Sequence, residues 1–313
     1  MAQQEVYDLV IVGGGPGGLT AGIYAQRAVM KTVMVEKGVQ GGQVVNTDEV
    51  ENWPGTQKIT GAELSMRFAE HAESYGLDII SREVTAVEPG KNHHTVVLDD
   101  GRRLATHTVI IATGGSLRKI GVPGEDENFG KGVSYCATCD GFFFRGKRVI
   151  VIGGGDTAVE EALYLAKLTE KVYLAHRRDE LRAEKVMRRR IMEAEKVEIL
   201  WNTIPVEILS DESGVTGIRL EDTVSGQQRC LELDGVFIFI GFNPNNAAVP
   251  KGVSLSNTGY VLTDQNCETT IPGIYVVGDL RDKIARQIVT AAGDGCTAAM
   301  AASHFVENKK ART

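Results

Sequence analysis

Short runs of branched apolar residues alternate along this chain with longer segments of helical spacing. A run over 7–12 is followed by a glycine-rich turn, a helical segment and a second run over 32–35. The same order returns between a run over 148–152 and a run over 172–175. Strand, helix and strand in this order are typical of a parallel sheet covered by helices. The pattern therefore predicts an α/β chain in which one three-layer, Rossmann-like unit occurs twice.

Other segments of the chain have a different period. Polar and apolar residues alternate over 79–111 and over 196–240, which predicts short strands. His93 and His94 fall in a predicted turn, where we expect both side chains to be solvated. The last helical segment contains a glycine cluster around Gly295, and glycines in such a place let a ligand approach closely.

The first repeat carries a dinucleotide-binding fingerprint. Gly13, Gly15 and Gly18 form G-x-G-x-x-G between strand and helix, and Glu36 follows 23 residues after Gly13. The glycines and the helix start can approach a pyrophosphate, and an acid at this distance holds a ribose hydroxyl pair. A mere tight turn would not explain the strand, the helix and the acid in register. We expect this unit to bind an adenosine with free ribose hydroxyls.

The second fingerprint, G-x-G-x-x-A at 153–158, differs at the ribose position. His176 stands 23 residues after Gly153, and three arginines follow it: Arg177, Arg178 and Arg182. Arginines bind a 2′-phosphate in bidentate fashion, whereas an acid would repel it. Charge pairs on a solvated helical face explain the basic residues from position 185 onward, but not those at the strand end. We therefore expect this unit to bind NADPH rather than NADH.

A cysteine pair stands just before the second fingerprint. Cys136 and Cys139 can close a small disulfide ring, and Asp140 follows at once. The thiolate is the reactive species of such a pair, and the adjacent acid can give or take the proton when a thiolate leaves or forms. A redox dithiol at the entry of a nucleotide-binding unit predicts that electrons pass from a nucleotide to a disulfide.

Composition narrows the class of function. The 313 residues favour two domains, and 42% hydrophobic and 24% charged residues are ordinary for a globular protein. The net charge of −7 argues against nucleic acid or an anionic membrane as a partner, and no apolar run is long enough for a membrane span. The amino terminus lacks a basic segment, so no signal peptide is expected. Cys230, Cys267 and Cys296 are isolated, which favours a reducing cytoplasm.

The order of elements predicts how the two units share the chain. The residues after the middle unit are too few for a stable domain of their own, so we expect them to fold back onto the first unit. The first domain is then 1–116 with 247–313, and the inserted domain is 117–246. The glycine-rich loop 38–55 is either functional or a surface excursion. Asp279, after a buried strand, either accepts hydrogen bonds from ligand hydroxyls or caps the next helix.

Two motifs, CATCDG at 136–141 and HRRDELRAEK at 176–185, form the most specific combination in the chain. Further distinctive segments are GGGPGGLTA at 13–21, GGQVVNTDEVENWPG at 41–55, GGGDTAVEEALYL at 153–165, GIYVVGD at 273–279 and RQIVTAAGDGCTAA at 286–299. Together these segments resemble the low-molecular-weight, bacterial-type thioredoxin reductases along nearly the whole chain. The resemblance implies an FAD domain made of the two outer segments, an inserted NADPH domain that carries the dithiol, and a homodimer.

The resemblance also implies a reaction and roles for single residues. NADPH reduces FAD, FAD reduces the Cys136–Cys139 disulfide, and the dithiol reduces oxidised thioredoxin. Cys139 is the thiol that faces the flavin, Cys136 attacks the partner disulfide, and Asp140 is the acid–base residue. The residues expected at FAD are Gly13, Gly15, Pro16, Gly18, Glu36, Gly42, Gln43, Asn52, Thr113, Gly278, Asp279, Arg286 and Gln287. Those expected at NADPH are Gly153, Gly155, Asp156, Thr157, Ala158, His176, Arg177, Arg178 and Arg182, and no metal is expected.

Other functions share parts of this pattern. A flavin-dependent dithiol oxidase or a ferredoxin-dependent reductase has no use for the second fingerprint with its arginines. A ferredoxin–NADP reductase of similar fold lacks the dithiol. A zinc-binding or redox-sensing module is a non-enzymatic alternative, but zinc needs about four ligands and the sequence has no second cysteine pair. A nucleotide-binding sensor without turnover stays open.

Overall fold

The computed structural model describes residues 6–47 and 49–311. The amino-terminal residues 1–5, considered above for a signal peptide, and Asp48 of the 38–55 loop lie outside the described residues. The chain divides into two compact units, one that runs up to Ser116 and resumes at Asn243, and one over Leu117–Phe242. The chain thus returns to the first unit at 242/243, a few residues before the expected boundary at 246/247.

The first unit is built on a seven-stranded sheet. Its strands are β1 (Val6–Val12), β2 (Thr32–Glu36), β3 (Asp78–Ser81), β4 (Val84–Glu88), β5 (His94–Leu98), β6 (Arg103–Ile111) and β17 (Ile274–Val276). The order is β3-β2-β1-β6-β5-β4, and β17 also pairs with β6. All pairs among β1, β2, β3, β6 and β17 are parallel, whereas β4 and β5 are antiparallel additions. The helices are α1 (Pro16–Arg27), α2 (Gly61–Ser74) and α6 (Ile288–Lys310).

The core of the first unit lies on both faces of this sheet. Leu9 and Ile11 of β1 pack in a cluster with α1 and α6, whereas Val10 and Val12 pack in a cluster on the opposite face. Successive residues of a strand point to opposite faces, so continuous apolar runs are what a strand covered on both sides requires. The run over 7–12 predicted this burial.

One glycine of the α6 cluster serves helix packing. A β-carbon on Gly295 would lie 2.1 Å from the Gly17 carbonyl oxygen of α1. The missing side chain therefore lets the two helices pack in direct backbone contact. At Gly295 the close neighbour is the protein's own helix, whereas a β-carbon on Gly293 would meet no atom within 4 Å. A ligand close to the cluster stays a prediction.

The second unit repeats the plan with a five-stranded, fully parallel sheet of order β11-β10-β9-β15-β8. These strands are β8 (Val133–Ser134), β9 (Arg148–Gly153), β10 (Lys171–Ala175), β11 (Val197–Leu200) and β15 (Gly235–Phe239). The helices are α3 (Ala137–Asp140), α4 (Asp156–Leu165) and α5 (Lys185–Met192). An antiparallel sheet follows, made of β12 (Thr203–Asp211), β13 (Gly214–Asp222) and β14 (Gln228–Glu232). Two short strands, β7 (Gly115–Leu117) and β16 (Phe242–Pro244), pair where the chain passes between the units.

Each face of the parallel sheet of the second unit packs against a different layer. Val149 and Val151 of β9 join a cluster with the apolar side of α4, whereas Ile150 and Ile152 join a cluster with Ile218 of β13. Helices, parallel sheet and antiparallel sheet thus form three layers. Within the described ranges, no helix is both long enough and apolar enough to cross a bilayer.

His94 departs from the expectation that both histidines of the 93–94 pair are solvated. It starts β5 and is only 5% exposed. Lys309, near the end of α6, donates a hydrogen bond to the Asn92 carbonyl and brings the helix over this turn. Burial lowers the pKa of His94 and of His107, and the positive charge of Lys309 acts in the same direction.

We expect the thermal unfolding midpoint to fall as the pH decreases through the ordinary histidine pKa of 6.5. The folded chain protonates these histidines at a lower pH than the unfolded chain does, so their contribution to stability is complete above that pH and decreases below it. Circular dichroism melts at successive pH values would measure the slope. His94→Gln should remove part of it, whereas the exposed neighbour variant His93→Gln should not; equal slopes for wild type and His94→Gln would contradict the assignment.

Candidate active site

The predicted FAD-binding residues of the first unit gather at one edge of its sheet. β1, β2, β6 and β17 are parallel, so their carboxyl ends lie at the same edge. Gly13 follows β1, Glu36 ends β2, Thr113 follows β6 and Gly278 follows β17. In open α/β sheets, ligands bind in the crevice outside this edge.

The first glycine turn is held by Glu36. The Gly14 N–H donates to Glu36 Oε2 at 2.6 Å, and the Gly38 N–H donates to Oε1 at 2.7 Å. Pro16 begins α1, where its fixed φ suits the first helical position. A β-carbon built on Gly15 would meet no atom within 4 Å. The turn therefore offers backbone and open space at a helix start, as a pyrophosphate requires.

A second segment, the start of the 38–55 loop, closes over this turn. The Gly41 N–H donates to the Gly14 carbonyl at 2.7 Å, and a β-carbon on Gly42 would lie 3.2 Å from the Gly15 Cα. Gly42 begins a short 3₁₀ helix, Gly42–Asn46. Gln43 Nε2 donates to the Gly115 carbonyl at 3.4 Å. The loop is thus part of the predicted site, which favours the functional interpretation over a surface excursion.

Thr113 lies two residues before Gly115, and its hydrogen bonds go to Asn245, in the segment that re-enters the first unit. Its Oγ1 donates to the Asn245 carbonyl at 2.7 Å, and Asn245 Nδ2 donates to the Thr113 carbonyl at 2.9 Å. The two bonds tie β6 to the segment that re-enters the first unit. Thr113 therefore holds this edge of the site together in the structure.

The third group of predicted residues follows β17. Arg286 Nε donates to the Asp279 carbonyl at 3.4 Å, and its guanidinium lies 4.0 Å from the centroid of the Tyr260 ring. Asn52 Nδ2 donates to Gln287 Oε1 at 3.2 Å, which brings the end of the 38–55 loop to the start of α6. Burial raises the pKa of Asp279, opposed by the charges of Lys283 and Arg286. Gly278, Asp279, Arg286 and Gln287 thus form one cluster at the sheet edge.

A buried ion cluster that the sequence did not reveal supports this third group. Asp294 of α6 accepts the Gly278 N–H at 3.0 Å and pairs with Arg281 at 2.5 Å and with Lys283 at 2.8 Å. All three side chains are at least four-fifths buried. A buried carboxylate with two cations and a backbone donor is fully satisfied. The sequence signal for this ion cluster was Asp294, an acidic residue between Gly293 and Gly295 in a helical segment.

The second unit holds its own glycine turn through the segment after β10. The Arg182 N–H donates to the Gly154 carbonyl at 2.7 Å, and the Glu184 N–H donates to Asp156 Oδ1 at 2.7 Å. Gly155 precedes α4, Asp156 and Thr157 are exposed in its first turn, and Ala158 is buried below them. The arginine-bearing segment is therefore fixed beside the start of α4.

His176 lies behind the turn rather than on its open side. It is 5% exposed, and a β-carbon on Gly154 would lie 2.1 Å from its Nδ1. The His176 Nδ1 and the Gly153 carbonyl are 2.8 Å apart. Because a carbonyl oxygen can only accept, Nδ1 donates this hydrogen bond and the ring supports the glycine turn. Burial lowers the pKa of His176. Only a glycine at 154 leaves room for it.

The three arginines after His176 present an open cationic surface. Arg177, Arg178 and Arg182 are all exposed. None of their guanidinium groups has a hydrogen-bond or ion-pair partner among residues 6–47 and 49–311. Arg188, further along, is instead paired with Glu180. Unpaired guanidinium groups at the end of β10, beside a helix start, suit a phosphate ligand.

The cysteine pair forms a disulfide in the second unit. Cys136 Sγ and Cys139 Sγ are 2.12 Å apart, and the Cys139 N–H donates to Cys136 Sγ at 3.2 Å. Both residues are partly exposed. The pair lies between β8 and the single turn of α3, which carries Cys139 and Asp140. A disulfide at the surface of a nucleotide-binding unit can exchange with an external thiol or disulfide.

Ser134, which the sequence did not single out, links Asp140 to the first cysteine. Ser134 Oγ donates to Asp140 Oδ2 at 2.5 Å and accepts the Cys136 N–H at 3.0 Å. Ser134 is 2% exposed, so this link is shielded from water. The structure thereby brings together Cys136, Cys139 and Asp140 as expected and adds a hydroxyl that orients the carboxylate. Within the described ranges, His, Cys, Asp and Glu side chains form no group of three or more able to hold a metal ion.

Two glycine turns on parallel sheets and a redox disulfide define a nucleotide-dependent disulfide oxidoreductase. The chain belongs to the pyridine nucleotide-disulphide oxidoreductase family, whose model matches residues 7–295. FAD and NADPH are the cofactors that this family and its thioredoxin reductases use. The predicted α/β fold and the predicted class of enzyme are both confirmed.

Individual relatives are similar over nearly their whole length. The chain is 44% identical over 307 residues to the thioredoxin reductase of Bacillus subtilis, covering 98% of this chain and 97% of the relative. It is 43% identical over 309 residues to the thioredoxin reductase of Listeria monocytogenes, covering 99% of this chain and 97% of that relative. The crystal structure of thioredoxin reductase from Streptococcus pyogenes superposes with a TM-score of 0.95 at 40% identity, covering 98% of this chain and all of that one. The resemblance noted in the sequence is thus confirmed.

Proposed function

We propose that this chain is an NADPH-dependent thioredoxin-disulfide reductase. The observation that carries the proposal is the Cys136–Cys139 disulfide in a unit whose nucleotide turn is flanked by three unpaired arginines. The disulfide supplies an electron acceptor, and the arginines supply a reason to prefer NADPH as the donor. The names of the relatives point to thioredoxin as the protein that receives the electrons.

The two glycine turns support a separate site for each cofactor. We assign FAD to the first unit, where the open face of Gly15, the Glu36 carboxylate and the Asp279–Arg286 cluster fit a pyrophosphate, a ribose and polar flavin-side groups. We assign NADPH to the second unit, with its phosphates at Gly155–Thr157 and its 2′-phosphate at Arg177, Arg178 and Arg182. His176 supports that turn from behind. When bound, the two cofactors supply a pair of electrons as a hydride.

The remaining steps use the chain's own residues. Opening of the disulfide leaves one sulfur as a thiolate and the other as a thiol. Cys136 then attacks a sulfur of the oxidised partner, which forms a mixed disulfide and expels the partner's other sulfur. Cys139 attacks Cys136 in turn, releases the reduced partner and restores the intramolecular disulfide. Asp140, oriented by Ser134, carries the proton to or from the leaving sulfur.

The proposal also covers the domain assignment of the chain, its oligomeric state and its cellular compartment. We assign the FAD domain to the segments up to Ser116 and from Asn243, and the NADPH domain to Leu117–Phe242. We further propose a homodimer in a reducing cytoplasm that binds thioredoxin and no nucleic acid. The resemblance to the family supports the dimer, and the isolated Cys230, Cys267 and Cys296, none in a disulfide, suit a reducing compartment.

The proposal is tested by following NADPH-driven reduction of a chromogenic disulfide by the purified yellow holoenzyme, with and without thioredoxin. We expect turnover to depend on added thioredoxin, because the enzyme's dithiol passes electrons to that protein and not directly to the dye. A panel of other small disulfide proteins at the same concentration is the control. NADPH consumption that thioredoxin does not change, with oxygen falling in step, would contradict the proposal and favour a dithiol oxidase.

A further inference from the structure

One carboxyl group behind the redox turn has no place in the mechanism described so far. Glu161 lies on α4, and α4 packs against α3, the turn that carries Cys139. The backbone N–H of Ala137, the residue after Cys136, acts on the Glu161 carboxyl group and lowers its pKa. Ala137 is fully buried. The carboxyl group therefore lies beside the first peptide of the disulfide ring, on the side of the protein interior.

The second oxygen of this carboxyl group is in an unusual state. Glu161 Oε2 is buried and has no hydrogen-bond partner among residues 6–47 and 49–311. Burying a carboxylate oxygen without a partner costs free energy, which binding a proton removes. Burial raises the pKa of Glu161 most; the Ala137 N–H lowers it and the charge of Glu160 raises it. Glu161 is thus poised to change protonation when a further negative charge forms nearby.

The charged side chains around Glu161 show which group could add a negative charge beside it when the disulfide is reduced. Glu160, on the same helix, is exposed and is the one charged side chain that shifts the Glu161 pKa. Other charged side chains on the elements packed against α4 are Asp140 on α3, Lys185, Arg188, Arg189 and Arg190 on α5, Arg148 on β9 and Lys171 on β10. None of these is a partner of Glu161. A thiolate on the Cys136–Cys139 pair would be the new charge that appears only on reduction.

We propose that Glu161 is the redox-linked proton acceptor of the dithiol, taking up a proton when the disulfide opens and returning it when the disulfide closes. The balanced step has four reactants: NADPH, one proton from solvent, the disulfide and the Glu161 carboxylate. Its products are NADP⁺, one thiol, one thiolate and the Glu161 carboxylic acid. Two electrons break the S–S bond, one proton resides on sulfur and the other on Glu161. The inference rests on the proposed function only in taking Cys136–Cys139 as the redox couple. Glu161 is a positioning residue, since it acts through the Ala137 peptide and its charge.

The test is the pH dependence of the dithiol–disulfide equilibrium in the holoenzyme. Wild type and Glu161→Gln are equilibrated in dithiothreitol redox buffers, and differential alkylation of the peptide with both cysteines gives the reduced fraction. In the pH interval where Glu161 changes protonation on reduction, we expect up to one extra proton per electron pair in wild type. The extra proton makes the dithiol–disulfide equilibrium constant of wild type change by up to about tenfold more per pH unit than that of Glu161→Gln, which equals about 30 mV. Plotted against pH, the equilibrium constants of the two proteins should converge at low pH and diverge at high pH.

The control variants separate a proton acceptor from a structural contact. Glutamine keeps an oxygen that can accept from the Ala137 N–H, so Glu161→Gln removes the ionisable group and not the acceptor. The same pH dependence in wild type and Glu161→Gln would overturn the proposal. A changed pH dependence in Glu161→Ala alone, which lacks the acceptor as well, would also overturn it. Glu170→Gln, which removes an exposed charge from the same unit, should follow wild type. Should Glu161→Gln fail to fold, infrared difference spectra of wild type labelled with carbon-13 glutamate must show a carboxylic acid gained on reduction, and its absence overturns the proposal. Dithiothreitol poises the couple, so the result does not depend on NADPH or thioredoxin.

Discussion

Cys139→Ser is expected to abolish thioredoxin reduction while leaving NADPH able to bleach the flavin absorbance of the holoenzyme. Serine cannot form the 2.12 Å bond that joins the two sulfurs, so no electron pair can be stored in the second unit. We expect turnover with thioredoxin to fall by at least about three orders of magnitude, the scale seen when an obligatory nucleophile is removed. Stopped-flow absorbance measures the flavin step, and thioredoxin-dependent thiol formation measures the whole sequence.

A matched control for this change is Cys230→Ser. Cys230 is an exposed free cysteine in β14 of the same unit, so its loss removes a thiol without removing the disulfide. We expect wild-type turnover from it. Substantial thioredoxin reduction by Cys139→Ser would show that electrons reach the partner without the disulfide and would refute the proposed sequence of steps.

A comparison of Cys139→Ser with Cys136→Ser assigns the roles of the two sulfurs. Under the proposed mechanism, Cys139→Ser retains Cys136 and should form a stable mixed disulfide with a thioredoxin variant that keeps a single cysteine, supplied as its disulfide with thionitrobenzoate. Thionitrobenzoate is the leaving group, and neither protein then has a neighbouring thiol that can resolve the mixed disulfide. Cys136→Ser should not form this mixed disulfide. Mass spectrometry of the trapped complex under non-reducing conditions distinguishes the two outcomes, and a mixed disulfide formed only by Cys136→Ser would reverse the assignment.

The repeated fold could be predicted because its signals are local. In each repeat, spacing along one short segment sets the elements of the nucleotide-binding unit. These elements are the apolar run that forms β1 or β9, the glycines after it, and the residue 23 positions after the first glycine, which is Glu36 or His176. Period and spacing follow directly from strand and helix geometry. The Cys136–Cys139 pair is likewise local, and its disulfide needed no information from elsewhere in the chain.

Contacts between distant segments were not predictable in this way. The sequence shows that Glu161 shares a helical face with the buried Ala158 and Leu165. It does not show that the Ala137 N–H lies close enough to lower the pKa of the Glu161 carboxyl group. Likewise, spacing placed His176 at the ribose position, yet its ring turns back to fill the space left by Gly154. The periodicity of a sequence gives the face on which a residue lies. It does not give the atom from another element that completes the contact.

Joint replacement of Arg177 and Arg178 by alanine is expected to change the choice of nicotinamide cofactor. Both side chains are exposed and have no partner among the described residues, so their removal leaves no buried charge unpaired. Each charge-assisted hydrogen bond to a phosphate contributes about 1.5–3 kcal/mol, and solvent exposure reduces this value. We expect kcat/KM for NADPH to fall about 10²-fold, whereas kcat/KM for NADH should change by less than about threefold.

The measurement that decides this prediction separates binding from turnover. Calorimetric titration with adenosine 2′,5′-bisphosphate, which carries the 2′-phosphate and no nicotinamide, should show binding to wild type and much weaker binding to the Arg177→Ala/Arg178→Ala variant. Arg189→Ala/Arg190→Ala removes the same charge from exposed positions on α5 and should bind like wild type. Equal losses with NADPH and NADH would mean that the two arginines shape the nucleotide site as a whole and that the 2′-phosphate lies elsewhere. A loss confined to NADPH would place it at the end of β10, where the open guanidinium groups lie beside the start of α4.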